Sequence, residues 1–381
     1  MNRMQGRIAW VTSGLWALAA GPATAGTQLP DQIVTAERTA GLHVLEGAEL
    51  ARLSGISVAD WLRHLPGVFI DRSGARGGVS SLYLRGADPN FTAIFIDGVK
   101  VNDPTNTRGG SYDLATLALA DIERIELLSG PSSAMLGADA LAGAINIVTR
   151  RAAAEQGASL AVGAGSFGYG HARAGVEQRR PGWAYALRGG FLDSGDAVEG
   201  SSSTIATGTA HVDLGKDLAA SLHYSDAELS SFPDDSGGPR YATRRALEDR
   251  HARELLSGIG YRFGSGSAWH THAHASLFRR TEHVDSPGVA PGQRDLFGIP
   301  AGQVDNDLRR YELRLAAQWR AGEPLSAGIG VHAAQETGES RGELQLLGPV
   351  DFDLNRHFVA GTLQAAYRSA LGVGLAGSVR V

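Results

Sequence analysis

No cysteine occurs among the 381 residues, so neither a disulfide framework nor a thiolate metal site is open to this chain. Long basic runs are missing as well, and a net charge of −5 at pH 7 leaves no electrostatic footprint for nucleic acid. Beyond the amino terminus there is no apolar run approaching the roughly 20 residues that a membrane-spanning helix needs. Enzyme signatures are equally scarce. No Ser/His/Asp arrangement or paired acid and base stands out, and GPSSAMLG at 130–137 lacks the lysine and spacing of a nucleotide-binding loop. What is abundant is glycine, 51 residues without a three-residue period, which suits tight turns and strand-rich packing. With 43% hydrophobic and 20% charged residues the composition is that of folded protein, long enough for two domains.

The amino terminus speaks to location. Arg3 and Arg7 make a positive start, 8–20 is uncharged and mostly apolar, and Ala23, Thr24 and Ala25 before Gly26 supply small residues for cleavage. This reads as a secretory signal over 1–25. An exported chain with no later spanning helix is either soluble in the periplasm or folded into a membrane barrel, and strand pattern separates the two.

From about residue 158 the chain alternates with period two. Trp183, Tyr185, Leu187, Gly189 and Phe191 share one face, as do Leu255, Ile259, Tyr261 and Phe263, and Tyr311, Leu313, Leu315, Ala317 and Trp319 are set against Glu312, Arg314, Gln318 and Arg320. Eight residues at about 3.3 Å each, tilted roughly 45°, span about 19 Å, close to the apolar band of a membrane barrel. Strands at 217–225, 268–280, 325–334, 357–367 and 372–381 belong to a set of about eleven, with longer polar stretches at 226–249 and 284–307. On the 268–280 strand His270, His272 and His274 point one way, which reads as a lumen-facing polar stripe; shared metal capture is the other reading.

The earlier part mixes periods. A helix is expected at 58–65, stopped by Pro66 and Gly67, then a strand at 68–71. Strands at 81–85 and 92–96, with turns at 87–90 and 97–98, a helical turn from 114, and strands at 125–128 and 144–149 read as one small mixed sheet. Gly130, Gly137 and Gly143 mark close turns.

Within 82–150 several separate pieces occur in order: LRG at 84–86, IDGV at 96–99, IERIE at 122–126, SGPSSAMLGADALAGAINI at 129–147, and a junction at Thr149 and Arg150. Jointly they resemble the plug of TonB-dependent outer-membrane receptors. The resemblance covers about 45–150, and IDGVKVNDPTN at 96–106 is most similar to the vitamin B12 (cobalamin) receptor branch. It implies a transmembrane antiparallel β-barrel, about half present as roughly 11 of 22 strands, with an N-terminal mixed α+β plug domain. The divisions are then a signal at 1–25, a flexible segment at 26–44, the plug at 45–150, and the first part of the barrel at 151–381.

The resemblance further implies a TonB box at Asp31, Gln32, Ile33, Val34, Thr35 and Ala36, which pairs by strand addition with TonB and its inner-membrane energising complex. Asp88, Asn90, Asn102, Asp103, Asn106 and Arg108 on outward plug loops are candidates for ligand contact, with solvation of turns as the alternative. Arg85, Glu123, Arg124, Glu126 and Arg150 are candidates for ion pairs that hold the plug. Calcium on Asp193, Asp196, Asp234 and Asp235 is the one cofactor raised, and the separation of these residues in two loops counts against it. The implied setting is the Gram-negative outer membrane, as a monomer in lipid that takes up a metal chelate, either a ferric siderophore or cobalamin. The chain stops inside an apparent strand, GLAGSVRV, without a terminal aromatic. A truncated, non-transporting fragment that at most binds ligand or TonB is therefore the alternative reading.

Overall fold

The computed structural model describes residues 42–381 except 51, 54–56, 74–75, 107–108, 119–121, 131–135, 154, 265–267, 293–295, 321–324, 346 and 369–373. The expected signal, the TonB box at 31–36 and Arg108 lie outside the described residues.

Seven strands precede residue 150: β1 (Leu42–Glu46), β2 (Val68–Arg72), β3 (Ser80–Leu84), β4 (Thr92–Ile96), β5 (Val99–Lys100), β6 (Ile122–Ser129) and β7 (Gly143–Thr149). Five of them form a mixed sheet in the order β1-β6-β7-β4-β5. The β4–β7 pair is parallel and the others antiparallel. Both β4 and β7 are buried at every position, which is why TAIFI and GAINIVT read as apolar runs rather than alternations. One expectation needs correcting. The strand near 81–85 is not part of the mixed sheet but pairs with β2 in a separate two-stranded sheet. Positive φ at Arg85 and Gly86 turns the chain away at its end, and the backbone N–H of Ser80 donates to Asp113 instead of to a strand. The expected helix is shorter, Val58–Leu62, and starts on a capping box in which Ser57 and Asp60 satisfy each other's backbone N–H groups.

The rest of the chain is one antiparallel sheet of eleven strands in sequence order: β8 (Gln156–Ala164), β9 (Gly170–Arg180), β10 (Trp183–Asp193), β11 (Ser202–Leu214), β12 (Leu218–Ser231), β13 (Glu248–Phe263), β14 (Trp269–Ser286), β15 (Gly302–Arg320), β16 (Leu325–Leu344), β17 (Gly348–Arg368) and β18 (Gly374–Arg380). Strands run longer than alternation predicts. The polar stretches expected as loops at 226–249 and 284–307 are strand for part of their length, leaving connections at 232–247 and 287–301. Alternation is imposed only where one face of the sheet forms the apolar belt, whereas the hydrogen-bond ladder continues past it with polar residues on both faces. Connections at one end are short (181–182 and 215–217), and the other end carries the long ones (194–201, 232–247 and 287–301) beside a short one at 345–347. No helix among the described residues is long and apolar enough to cross a membrane.

The two faces of this wall differ. Outward-facing Trp183, Leu187, Val212, Leu222, Ile259, Tyr261, Tyr311, Leu313, Leu315 and Val331 are all exposed. Register makes them one belt, with Trp269 opposite Trp319, Ala273 opposite Leu315, and Leu277 opposite Tyr311. The inner face is polar and packs on the plug. At its centre, however, Leu256, Phe278 and Leu308 join the plug's own core of Leu62, Leu82, Ile94, Ile96, Ile125, Leu127, Ile145 and Ile147, each contributing roughly 1.5–3 kcal/mol when buried.

Gly143 is where the plug sheet tolerates no side chain. At φ +150° a Cβ would lie 2.3 Å from Leu128 O and 2.7 Å from Leu84 Cδ2. Gly143→Ala is expected to destabilise the plug by more than about 2 kcal/mol, read as lost amide protection in β4, β6 and β7 with protection in β12–β15 retained.

Candidate functional site

The seat between plug and wall concentrates the buried charge. Segment 102–116, between β5 and β6, carries Asp103, Tyr112, Asp113 and Thr116 into the wall, where β13 and β14 present Arg250, Glu254, Arg280 and Glu282 from inward-facing positions. Arg280 donates to Glu254 Oε1 at 2.6 Å and to Glu282 Oε1 at 2.9 Å, and its Nε lies 3.2 Å from Asp103 Oδ2. Arg250 donates to Asp113 Oδ2 at 2.6 Å and to the carbonyl of Gly77 at 2.9 Å. Tyr112 Oη donates to Glu254 Oε2 at 2.9 Å, and Thr116 Oγ1 donates to its Oε1 at 3.2 Å. Two guanidinium groups thus meet four carboxylates. Burial lifts the Asp103 carboxyl above the usual range against the pull of Arg280, and lifts that of Glu254 against the same guanidinium. Burial pushes Asp113 the same way, but Arg250 and Arg280 outweigh it and hold its carboxyl below that range. Burial and the neighbouring Glu254 charge keep the Tyr112 hydroxyl protonated, far above the ordinary tyrosine range.

Further contacts secure the plug at other levels. Arg310 on β15 donates to the carbonyls of Lys100 (3.0 Å) and Asn102 (2.6 Å) and pairs with Glu336. Lys100 pairs with Asp139; burial and Arg310 lower its ammonium from the ordinary range. Toward the short-turn end, Asp97 accepts from the Thr149 N–H (2.9 Å) and hydroxyl (2.6 Å), that hydroxyl lies 2.6 Å from His211 Nε2, and Arg151 donates to Asp213 at 2.9 Å. Toward the long-loop end, Arg76 donates to Ser194 O (2.9 Å) and the Gly77 N–H to Ser201 Oγ (3.0 Å). A Cβ on Gly77 would lie 1.9 Å from Ser230 O, so this stretch of plug backbone lies directly against the wall.

The residues singled out from sequence divide accordingly. Asp88 is exposed, Asn90 and Asn106 are half-buried, and Asn90 stands beside Gly110. Asn102 and Asp103 do not face outward. Asn102 is buried, with its amide accepting from the Ile94 N–H and donating to the carbonyls of Thr92 and Gly110, which locks the loop to β4; Asp103 faces Arg280 and accepts from Thr105. Arg124 lies 2.6 Å from Glu126 and 3.4 Å from Glu123, pairs internal to the plug. Arg85 and Arg150 form no ion pair with described residues; Arg150 is exposed, and its neighbour Arg151 reaches the wall instead. Among the described residues no three His, Asp or Glu gather to hold a metal ion. Asp193 accepts from the Gly195 N–H, while Asp196 and Asp235 are exposed, so Asp193, Asp196, Asp234 and Asp235 do not converge on a calcium site. His274 is buried facing Ser221 and Val99 around Gly258, on the inner side of the wall. Sequence reading missed Arg250, Glu254, Arg280 and Glu282. The signal was there in principle, as charges at the inward parity of β13 and β14.

Asp113 yields a prediction with a sign. A carboxyl held low in the folded state contributes stability above its unfolded pKa of about 3.9 and loses that contribution as pH falls through the folded value. Asp113→Asn is expected to destabilise the chain in detergent at neutral pH by about 3 kcal/mol, the cost of a broken buried pair, read as a lower urea midpoint. The difference from wild type should shrink steadily once the pH falls below about 4.

A family model described as the TonB-dependent Receptor Plug Domain matches residues 35–144. Over 131 residues, 34% of this chain and 21% of the relative, the chain is 33% identical to the vitamin B12 transporter BtuB of Vibrio vulnificus strain CMCP6. It superposes on FpvAI in its complex with pyocin S2 with a TM-score of 0.72 at 14% identity, covering 90% of this chain and 52% of that one. On the ferric citrate transporter FecA in its unliganded form the TM-score is 0.65 at 16% identity, covering 90% and 59%. The chain thus spans less than two thirds of each of these proteins. Residues 35–144 thus match the TonB-dependent receptor plug domain, and the eleven-stranded wall that follows has the fold of half a receptor barrel.

Proposed function

We infer that this chain supplies the plug and leading wall of an outer-membrane receptor that imports a metal chelate, with energy delivered by TonB acting on the segment at 31–36. One observation carries the reading: segment 102–116, next to the outward plug loops, is tied to the wall through buried charges and hydroxyls rather than through a continuous dry interface. Ionic contacts of this kind fix position while adding little net stability. Exposed or half-buried Asp88, Asn90 and Asn106 are the plug residues left to meet a ligand. The vitamin B12 transporter that matches the plug supports cobalamin, and the ferric citrate transporter of like fold supports a ferric chelate.

Deleting 31–38 tests the coupling. Cells producing the protein should accumulate labelled cobalamin or ferric siderophore only with the segment present, and ligand binding to the purified protein should be unchanged by its loss. Uptake that survives the deletion removes energy coupling from the account. Binding with no uptake from either form selects the alternative, a fragment that captures ligand without transport.

A further inference from the structure

Two guanidinium groups in the seam between plug and wall, at the end of the long connections, have no carboxylate partner among the described residues. Arg76, on the plug segment between β2 and β3, donates to the carbonyl of Ser194 at 2.9 Å and to no other described residue. Arg173 on β9 has inward parity, opposite Gly190 of β10 and Ala161 of β8. Its Nε is fully buried without an acceptor. A buried charged donor left unpaired costs more than an unmade neutral hydrogen bond.

Tyr169 links the two. It ends the turn between β8 and β9 and packs against the cluster that contains Ala118, Leu192 and Ile205. Arg173 and Arg76 are the charges that act on its hydroxyl, which lies 3.1 Å from His171 Nδ1; on His171 the acting charge is Arg173. The turn is joined to the loop that Arg76 touches, because the Asp196 N–H donates to the Phe167 carbonyl at 2.9 Å.

The neighbouring carboxylates are engaged elsewhere. Asp60 lies 3.3 Å from Arg72, Asp113 is bound by Arg250 at 2.6 Å, Glu177 pairs with Arg188, and Glu199 is 2.7 Å from Arg245. Asp71 has the opposite strand parity to Arg72, Asp193 accepts from the Gly195 N–H, and Asp196 is exposed. Beside the unpaired cations opens a cleft of about 340 Å³ lined by Arg72, Arg76, Ser80, Leu192, Ser194 and Ser203. That volume is at the low end of the roughly 300–1,000 Å³ of ligand sites, room for a small ion rather than for a metal chelate with its organic shell.

We propose that Arg76, Arg173 and the Tyr169 hydroxyl hold a tetrahedral oxyanion, phosphate or sulfate, in the seam between plug and wall. The planar guanidinium fork matches such oxygens two at a time. With His171 donating from Nδ1 to Tyr169 Oη, the Tyr169 O–H is free to donate to the ion as well. The ion joins the plug backbone around Arg76 to β9, two elements whose like charges otherwise repel. It strengthens the plug's seat at this end whatever the receptor imports.

The full chain in neutral detergent is titrated calorimetrically with inorganic phosphate and with sulfate, chloride holding the ionic strength constant. One ion per chain is expected to bind saturably. Affinity should fall about tenfold or more in R76Q and in R173Q, each of which removes charge-assisted hydrogen bonds, and several-fold in Y169F, which removes only the hydroxyl. R180Q, at the exposed end of the same strand, takes away the same charge and should leave affinity unchanged. Equal loss in R180Q, or affinity retained in both R76Q and R173Q, would overturn the proposal. So would the lack of saturable binding by the unaltered chain, a result that depends on no variant's folding. Stoichiometric displacement of phosphate by ferric citrate or by cobalamin would overturn it too, by assigning the arginines to the imported ligand.

Discussion

Arg280 holds the arrangement together. It is about 1% exposed, reaches Asp103 on the plug and Glu254 and Glu282 on the wall, and no other described cation touches all three. Moving such groups out of water costs several kcal/mol per ion, so the cluster is a poor source of net stability and a strict source of position. Asp103 meets Arg280 only if its loop keeps its shape, and that shape rests on Asn102, whose amide bonds the backbone of β4 and Gly110. A change at β4 is thus felt at the wall through two consecutive polar residues.

The wall reconciles three environments by using the two-residue period of a strand. One parity forms the exposed apolar belt between Trp269 and Leu277 on β14. The other parity of the same strand carries His274, Phe278 and Arg280 toward the plug. Past the belt the outer parity turns charged while the ladder continues unbroken to Ser286. Register does the rest, because it aligns the belt ends of neighbouring strands to within one residue pair. Where the belt ends is therefore a property of the sheet rather than of any one strand.

Much of this was legible in the sequence. The strand at 92–96 and the turn at 97–98 are found where expected, because Asp97 and Gly98 take the positive φ of a tight hairpin. The period-two pattern likewise gave the eleven strands of the wall. Strand ends were less legible, since a strand beyond the apolar belt has no face that must be apolar. Least legible were the partners. Arg250 and Asp113 are 137 positions apart, and Arg280 and Asp103 are brought together only by the seating of the plug. At the junction the sequence pointed to Arg150 where Arg151 reaches Asp213, a one-residue difference at the point where the β7 alternation ends. Asn102 and Asp103 resembled ligand contacts because short polar side chains in a turn satisfy backbone groups with the same chemistry that would bind a ligand.

The plug's own construction sets the order in which it would give way to a pull from its amino terminus. Such a pull reaches β1 first, an edge strand of five residues whose only buried position is Leu45. It then meets β6, which shares a core with the wall. The fully buried pair of β4 and β7 comes last, carrying Asp97 and Thr149 at one end and the Asn102 anchor near the other. Apolar contact with Leu256, Phe278 and Leu308 lies in the middle of the seat, flanked by ionic contacts on both sides. Water entering from either side can solvate those charges as they separate, whereas the apolar centre gains nothing from it. The resistance to unseating therefore resides in the centre, and the registry in the charges around it.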